Sequence, residues 1–176
     1  MDGVQITETE FEELLRSFRR SAFRFEARDA YALDYEQADF DLFLAGQPVA
    51  PPDVAWWGPW LERIAAMTAA GRTVGRVRVL AGPPTDYQRW ELWAAPWHAS
   101  AGEAIGYLPR SEAEALGLPD ADWWLLDDER LILMEFGAAG EIAGKSLTAD
   151  PEIVARHREW RDLAVANAAP AVLAAT

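Results

Sequence analysis

Two histidines, His98 and His157, stand 59 positions apart, and the chain has no cysteine. Zinc sites need convergent His, Cys or carboxylate ligands, so this inventory argues against one. Disulfide and thiolate chemistry are excluded outright. His98 follows Pro96 and Trp97, where a helix break would leave it either a general base in contact with solvent or a plain surface histidine, and the second reading is preferred. His157 falls on an apolar helical stripe and reads as a hydrogen-bonded histidine at the edge of the core. Asp127-Asp128-Glu129 could be paired carboxylates or an Asp-rich hairpin turn, and the turn carries more weight. Glu135 follows four apolar residues, so it either needs a buried partner or marks a strand end reaching solvent, the commoner case. No GxGxxG, Walker loop or GxSxG elbow occurs. No cofactor is expected.

The elements that must position these residues centre on Asp122 to Leu147. Two short apolar runs, Trp123 to Leu126 and Leu131 to Met134, flank Asp127 to Arg130, and a Gly-Ala-Ala-Gly turn precedes a third segment. Short runs rich in aromatic and branched residues, bounded by turn signals, predict a β-meander buried on both faces. Thr7 to Glu10 forms a capping box, and Phe11, Leu14, Leu15 and Phe18 follow at helical spacing to about Arg20. Ala22 to Glu26 alternates apolar and polar residues like a half-buried strand. Asp34 to Ala45 and the stretch from Trp56 to Gly71 predict two further helices, the second with Pro59 in its first turn and an aromatic stripe that reads as core. Thr73 to Pro109 predicts a βαβ unit: a strand from Val74 to Leu80, a helix opened by the Thr85 to Gln88 capping box and ended or kinked at Pro96, and a strand from Ala104 to Leu108. A short helix at Ser111 to Leu116 precedes the meander. Asp150 and Pro151 start a last helix carrying Ile153, His157, Trp160 and Ala164, which ends near Pro170.

Composition sets the frame. A length of 176 residues, 51% of them apolar and nine of them Trp, suits one domain spanning 1–176, with 1–20 an N-terminal helix and 171–176 a frayed tail. The formal charge of −13, from 29 acidic against 16 basic residues, repels phosphate backbones and acidic membrane surfaces. Neither direct nucleic-acid nor membrane binding is expected. The N-terminus lacks an apolar h-region and no run approaches a membrane span, so a cytoplasmic protein is expected. Every basic residue but Lys145 is Arg, which resembles the coding bias of a G+C-rich bacterium.

At Val77 to Leu80, Thr85 to Leu92, Ala101-Gly102-Glu103, Leu108-Pro109-Arg110 and Trp123 to Asp128, the chain resembles an actinobacterial domain-of-unknown-function family often encoded beside helix-turn-helix regulators. The resemblance covers about Phe23 to Pro170 and places motif residues at Asp86, Tyr87, Arg89, Glu103, Arg110 and Asp127. The βαβ unit, Leu-Pro-Arg, apolar hairpin and final helix ending Ala-Asn-Ala-Ala-Pro also resemble noncatalytic phospholipase D-like sensor domains. Phosphotransfer in that superfamily needs a His-x-Lys motif, and neither histidine here has a Lys two positions on.

These readings predict an α/β fold, a mixed sheet containing a βαβ unit and an antiparallel meander with helices covering it, phospholipase D-like if the second resemblance holds. They place a cleft beyond the carboxyl ends of the parallel strands, where Arg89 and Arg110 could hold a small anionic ligand near the helix start; alternatively Asp86 caps the helix or pairs with Arg110. The expected function is a non-enzymatic regulatory or ligand-sensing protein acting with a helix-turn-helix partner. The alternative is a small metal-independent enzyme of specialised metabolism using Asp, Glu, His or Arg. The charge alone carries one prediction: fluorescence anisotropy with duplex DNA should find no submicromolar, salt-sensitive binding by the purified protein, and finding it contradicts the reading.

Overall fold

A computed structural model describes residues 3–170; the expected frayed tail at 171–176 lies outside the described residues. The elements are β1 (Val4–Gln5), α1 (Glu8–Ser17), β2 (Ser21–Glu26), α2 (Gln37–Leu44), α3 (Trp57–Ala69), β3 (Thr73–Leu80), α4 (Asp86–Ser100), β4 (Ala104–Pro109), α5 (Arg110–Ala115), β5 (Asp122–Leu126), β6 (Arg130–Phe136), β7 (Ile142–Thr148), α6 (Pro151–Asn167) and β8 (Ala169–Pro170). They form an eight-stranded mixed sheet in the order β1-β7-β6-β5-β2-β3-β4-β8. β2, β3 and β4 run parallel, and β5, β6 and β7 make the antiparallel meander.

Helices cover both faces of this sheet. Every residue of β5 is buried, and its alternate side chains serve two cores. Trp123 and Leu125 pack with Phe23, Phe25, Val77, Leu108 and Leu131 beneath α5 and α6. Trp124 and Leu126 pack with Ala22, Val74 and Ile132 beneath α1 and α3. A strand buried on both faces has no polar alternation, which is why its sequence is a continuous apolar run. His157 lies where its stripe placed it: Nδ1 contacts the Ile153 carbonyl at 2.8 Å, and the ring meets Trp123 and Trp160 edge-on.

Several local readings are corrected. β2 is not half-buried; it sits between β3 and β5, and Arg24 and Glu26 are as inaccessible as Phe23. α4 does not end at Pro96 but continues to Ser100, and in its last turn the His98 ring is engaged at both nitrogens. β8 pairs with β4, adding an antiparallel strand at the sheet edge after α6. Among the described residues no helix is long and apolar enough to cross a membrane.

The β5–β6 connection is a hairpin turn with Asp127 at φ 56° and Asp128 at φ 61°, the positive pair a type I′ turn requires and Asp tolerates. Glu135 is exposed, in accord with the solvent reading. The Asp127 carboxylate does more than turn the chain. It accepts backbone N–H groups of Arg19, Arg20 and Ser21 at 2.6–3.1 Å, while its own N–H donates to the Ser21 carbonyl at 2.8 Å. These bonds hold its pKa below the usual carboxylate range despite burial. Asp127→Ala strands those donors, so chemical denaturation should show a loss of about 2–4 kcal/mol, with a smaller loss for Asp127→Asn. A change below about 1 kcal/mol contradicts the anchoring role.

Candidate functional site

β2 and β3 lie in parallel register with Arg24 opposite Arg76 and Glu26 opposite Arg78. Because side chains alternate along a strand, all four project from one face, the one that α4 crosses. Two arginines directly opposite repel unless an anion bridges them. Glu26 does so: Oε1 lies 3.4 Å from Arg24 Nε and 3.2 Å from Arg76 Nη1, and Oε2 accepts from Arg78 Nε at 2.6 Å. Arg24 also donates to Asp122 at 2.9 Å and lies over the Trp124 ring, 5.4 Å from its centroid. Arg76 donates to Glu103 at 2.5 Å. Arg78 Nη2 sits 3.1 Å from Glu91 Oε1. All seven of these charged side chains are buried.

α4 supplies the roof. Tyr87, Glu91, Ala94, Ala95 and His98 recur at the spacing of one helical face, and all are buried. His98 lines the cleft with both ring nitrogens engaged. Trp57 Nε1, which can only donate, lies 2.8 Å from His98 Nε2, so that nitrogen is the acceptor and Nδ1 carries the proton toward Glu103 Oε2 at 2.6 Å. Burial also keeps its pKa below the ordinary histidine value. The expected surface histidine is therefore a buried neutral clamp, 3% exposed, tying α3 to α4 and to the start of β4.

Above this floor lies a cleft of about 650 Å³, bounded by α1, α3, α4, the meander and the segment before α2. Such a volume is within the range of small-molecule sites. Its walls are aromatic. Trp56 stacks on Trp57 with centroids 4.7 Å apart, Tyr35 meets Trp56 at 5.2 Å, and Tyr87 meets Trp90 and Tyr31 at 5.6 Å. Glu36, at the N-cap of α2, accepts a 2.5 Å bond from the Tyr87 hydroxyl. Tyr31 likewise donates to Asp122 at 2.5 Å. At the α1 side, Arg63 pairs with Glu12 at 3.1 Å and Lys145 pairs with Glu8.

The charges do not balance. Arg24, Arg76 and Arg78 face five buried carboxyls, those of Glu26, Glu36, Glu91, Glu103 and Asp122. The arginines around Glu26 pull its pKa far down against the cost of burial, and Arg76 with His98 holds Glu103 down to about 2. The surplus falls on Glu36 and Glu91; burial raises Asp122 too, but Arg24 and the hydrogen bonds from Tyr31 and the Ala27 N–H oppose that rise. Burial pushes Glu36 up to about 7 and Glu91 up to about 8.

The six residues named by the resemblance separate. Tyr87 lines the cleft, and Glu103 supports its floor through Arg76 and His98. Asp86 and Arg89 form an exposed pair with each other, and Arg89 also donates to the Pro84 carbonyl at 3.0 Å. Arg110 emerges at the carboxyl edge of the parallel strands, as the topology requires, but its guanidinium is bound to the Ala27 carbonyl at 2.6 Å and to Asp29 at 2.7 Å. Beside it is a hollow of only about 90 Å³. Asp127 lies at the opposite, amino edge, because the antiparallel β5 carries the chain back there. The large cleft thus lies over the sheet face rather than beyond the strand ends. Arg24, Glu26, Arg76, Arg78, Glu36 and Glu91 were not singled out from sequence; the signal was charged residues two apart in two strands and Glu91 one turn from Tyr87. Among the described residues no group of three or more His, Cys, Asp and Glu side chains could hold a metal ion.

The site makes stability depend on pH in both directions. Glu26 and Glu103 have folded pKa values below 4.5, so their contribution is full above about pH 4.5 and is lost as pH falls toward 2. Glu36 and Glu91 have folded values above 4.5, so theirs is full below about 4.5 and is lost as pH rises through 7 and 8. The melting temperature should therefore peak at mildly acidic pH and decline toward about pH 8.5. Glu91→Gln should flatten that decline and raise the melting temperature at the alkaline end by a few degrees, since 1 kcal/mol corresponds to roughly 2–4 °C in a domain of this size. Parallel curves for the two proteins contradict the assignment.

The phospholipase D family member Nuc from Salmonella typhimurium shares 12% identity with this chain at a TM-score of 0.53, the match covering 92% of this chain and 88% of Nuc. NucT from Helicobacter pylori shares 13% identity at a TM-score of 0.51, covering 92% and 89%. At such identities the likeness shows the fold, a phospholipase D-like α/β arrangement. No curated protein matches the chain. The family model described as "Domain of unknown function (DUF6879)" matches residues 9–172, so the chain belongs to that family.

Proposed function

We propose that this protein is a non-enzymatic ligand sensor that binds a small molecule in the aromatic cleft and acts through a helix-turn-helix partner. The observation that carries the ligand half is the cleft of about 650 Å³, with its aromatic walls and a floor of fixed charges. A floor in which each arginine is held by carboxylates is preorganised, so little is lost in ordering it when a ligand arrives. The His98 ring, occupied at both nitrogens, supports binding rather than proton transfer. The partner half rests on the resemblance and on the net charge of −13, which suits a basic protein surface better than DNA. An actinobacterial, cytoplasmic setting belongs to the same proposal.

One observation favours the rival reading of a small metal-independent enzyme. Glu91, pushed up to about 8, is protonated near neutrality and reaches a cleft, as a general acid must. Native mass spectrometry of tagged protein recovered from the source organism separates the two. A sensor should carry one small-molecule adduct, released unaltered on denaturation, missing from Trp56→Ala, and accompanied by a helix-turn-helix protein. An adduct retained by that variant, or a released compound that the fresh protein converts, contradicts the proposal.

A further inference from the structure

Which ligand the cleft takes follows from the groups that still have bonding capacity. Arg24 Nη1 and Arg78 Nη1 have no partner among the described residues, but both atoms are sealed from solvent, so neither can reach a molecule in the cleft. Arg63 and Lys145, at the α1 side, are each already paired with a carboxylate. The cleft therefore offers no uncommitted cation for an anionic ligand. Its acceptors differ. Tyr87 occupies Glu36 Oε2, and Arg78 occupies Glu91 Oε1. Glu36 Oε1 and Glu91 Oε2 have no partner among the described residues and are not among the sealed atoms.

We propose that the cleft binds an organic cation, an amine or quaternary ammonium carrying an apolar group, with its charge between Glu36 and Glu91 and its body against Trp56, Tyr35 and Trp90. Resting on the ligand-sensing reading above, it names the ligand class for the same site. Aromatic faces attract cations through the ring quadrupole, and in a desolvated setting the attraction strengthens. The two surplus carboxyls supply the charge. In the empty cleft they keep protons, pushed to about 7 and about 8 by burial; a bound cation takes the place of one proton of the pair, which leaves to solvent, so the charge of the floor is unchanged. The groups facing them are Glu26 from β2, Arg76 and Arg78 from β3, Tyr87 from α4, Tyr107 from β4, and Tyr31 and Tyr35 from the segment after β2. Burial holds the tyrosine hydroxyls above their ordinary value, and the arginines hold Glu26 below its own against the cost of burial, so the pH dependence between 6 and 8.5 belongs to Glu36 and Glu91.

Isothermal titration calorimetry of the full chain provides the test, with phenethyltrimethylammonium as the cation and 3-phenylpropionate as the matched anion. A quaternary ammonium does not titrate, so any pH dependence belongs to the protein. We expect saturable binding of the cation, at least about tenfold tighter at pH 8.5 than at pH 6, with proton release seen as heat that varies with buffer. Glu36→Gln and Glu91→Gln should each weaken it about tenfold and blunt the rise with pH. If Glu91→Gln does not fold, Glu36→Gln alone decides, because among the described residues the Glu36 side chain is hydrogen-bonded by Tyr87 and by none of the arginines. Tighter binding of the anion overturns the cation assignment while leaving the ligand-sensing reading standing. Cation binding indifferent to pH and to both variants overturns it, as does the absence of saturable cation binding up to millimolar concentration. Failure of the sensing reading itself shows separately, as protein from the source organism that carries no adduct.

Discussion

Three guanidinium groups gathered around Glu26 are the constraint on which the rest of this structure depends. Burying an ion is costly unless its partners replace the water it loses. Here the replacement is mutual: the register that sets Arg24 beside Arg76 would be repulsive if Glu26 did not reach both, and Glu26 could not remain ionised under α4 without them. Asp122 and Glu103 complete the set from either side, and Asp122 adds a bond to the Ala27 backbone N–H at 2.9 Å. Five segments meet in one network, which fixes the order β5-β2-β3-β4 at the middle of the sheet as firmly as the apolar cores on its two faces.

The network also accounts for the position of the cleft. Over β4, α4 packs on the sheet through Ala95 against Ile105 and Tyr107, but over β2 and β3 it meets charged side chains, unlike α6 on the other face, where Val154 and Ala164 share a core with Phe23, Val77 and Leu125. The gap is roofed by aromatic residues from α3, α4 and the segment leading into α2, and that aromatic shell forms a third cluster apart from the two sheet-facing cores. α2 contributes no buried residue of its own. Its place is set instead by Phe40 and Phe43 against Tyr87, Trp90 and Trp93, and by Glu36 at its start.

Local signals in the sequence located most of the elements, because capping boxes and apolar runs act over a few residues. Thr7 with Glu10, Thr85 with Gln88, and Asp150 with Pro151 each open a helix where the pattern placed it. The parallel pair and the meander follow from the same kind of evidence. What sequence could not convey was cover. The alternation of Arg24 and Glu26, or of Arg76 and Arg78, tells which residues share a face, and a charged face is read as wet by default. Whether a helix lies over that face is a matter of tertiary packing, and for Arg24 and Glu26 the helix that covers them, α4, is more than fifty positions away. Arg110 shows the complementary limit: the topology brought it to the carboxyl edge, but the acceptors bonded to it, Ala27 and Asp29, come from the loop after β2 and leave no mark in the local pattern.

The central claim is that five buried carboxyls outnumber three arginines and that the excess is carried as protons on Glu36 and Glu91. The most direct measurement is a ¹³C NMR titration of the glutamate side-chain carboxyl carbons in the full chain, assigned with Glu36→Gln and Glu91→Gln. The account expects Glu36 to titrate near 7 and Glu91 near 8 while Glu103 stays ionised above about 2. Midpoints for Glu36 and Glu91 at the ordinary carboxylate value of 4.5 contradict it, and with it the proton-linked site.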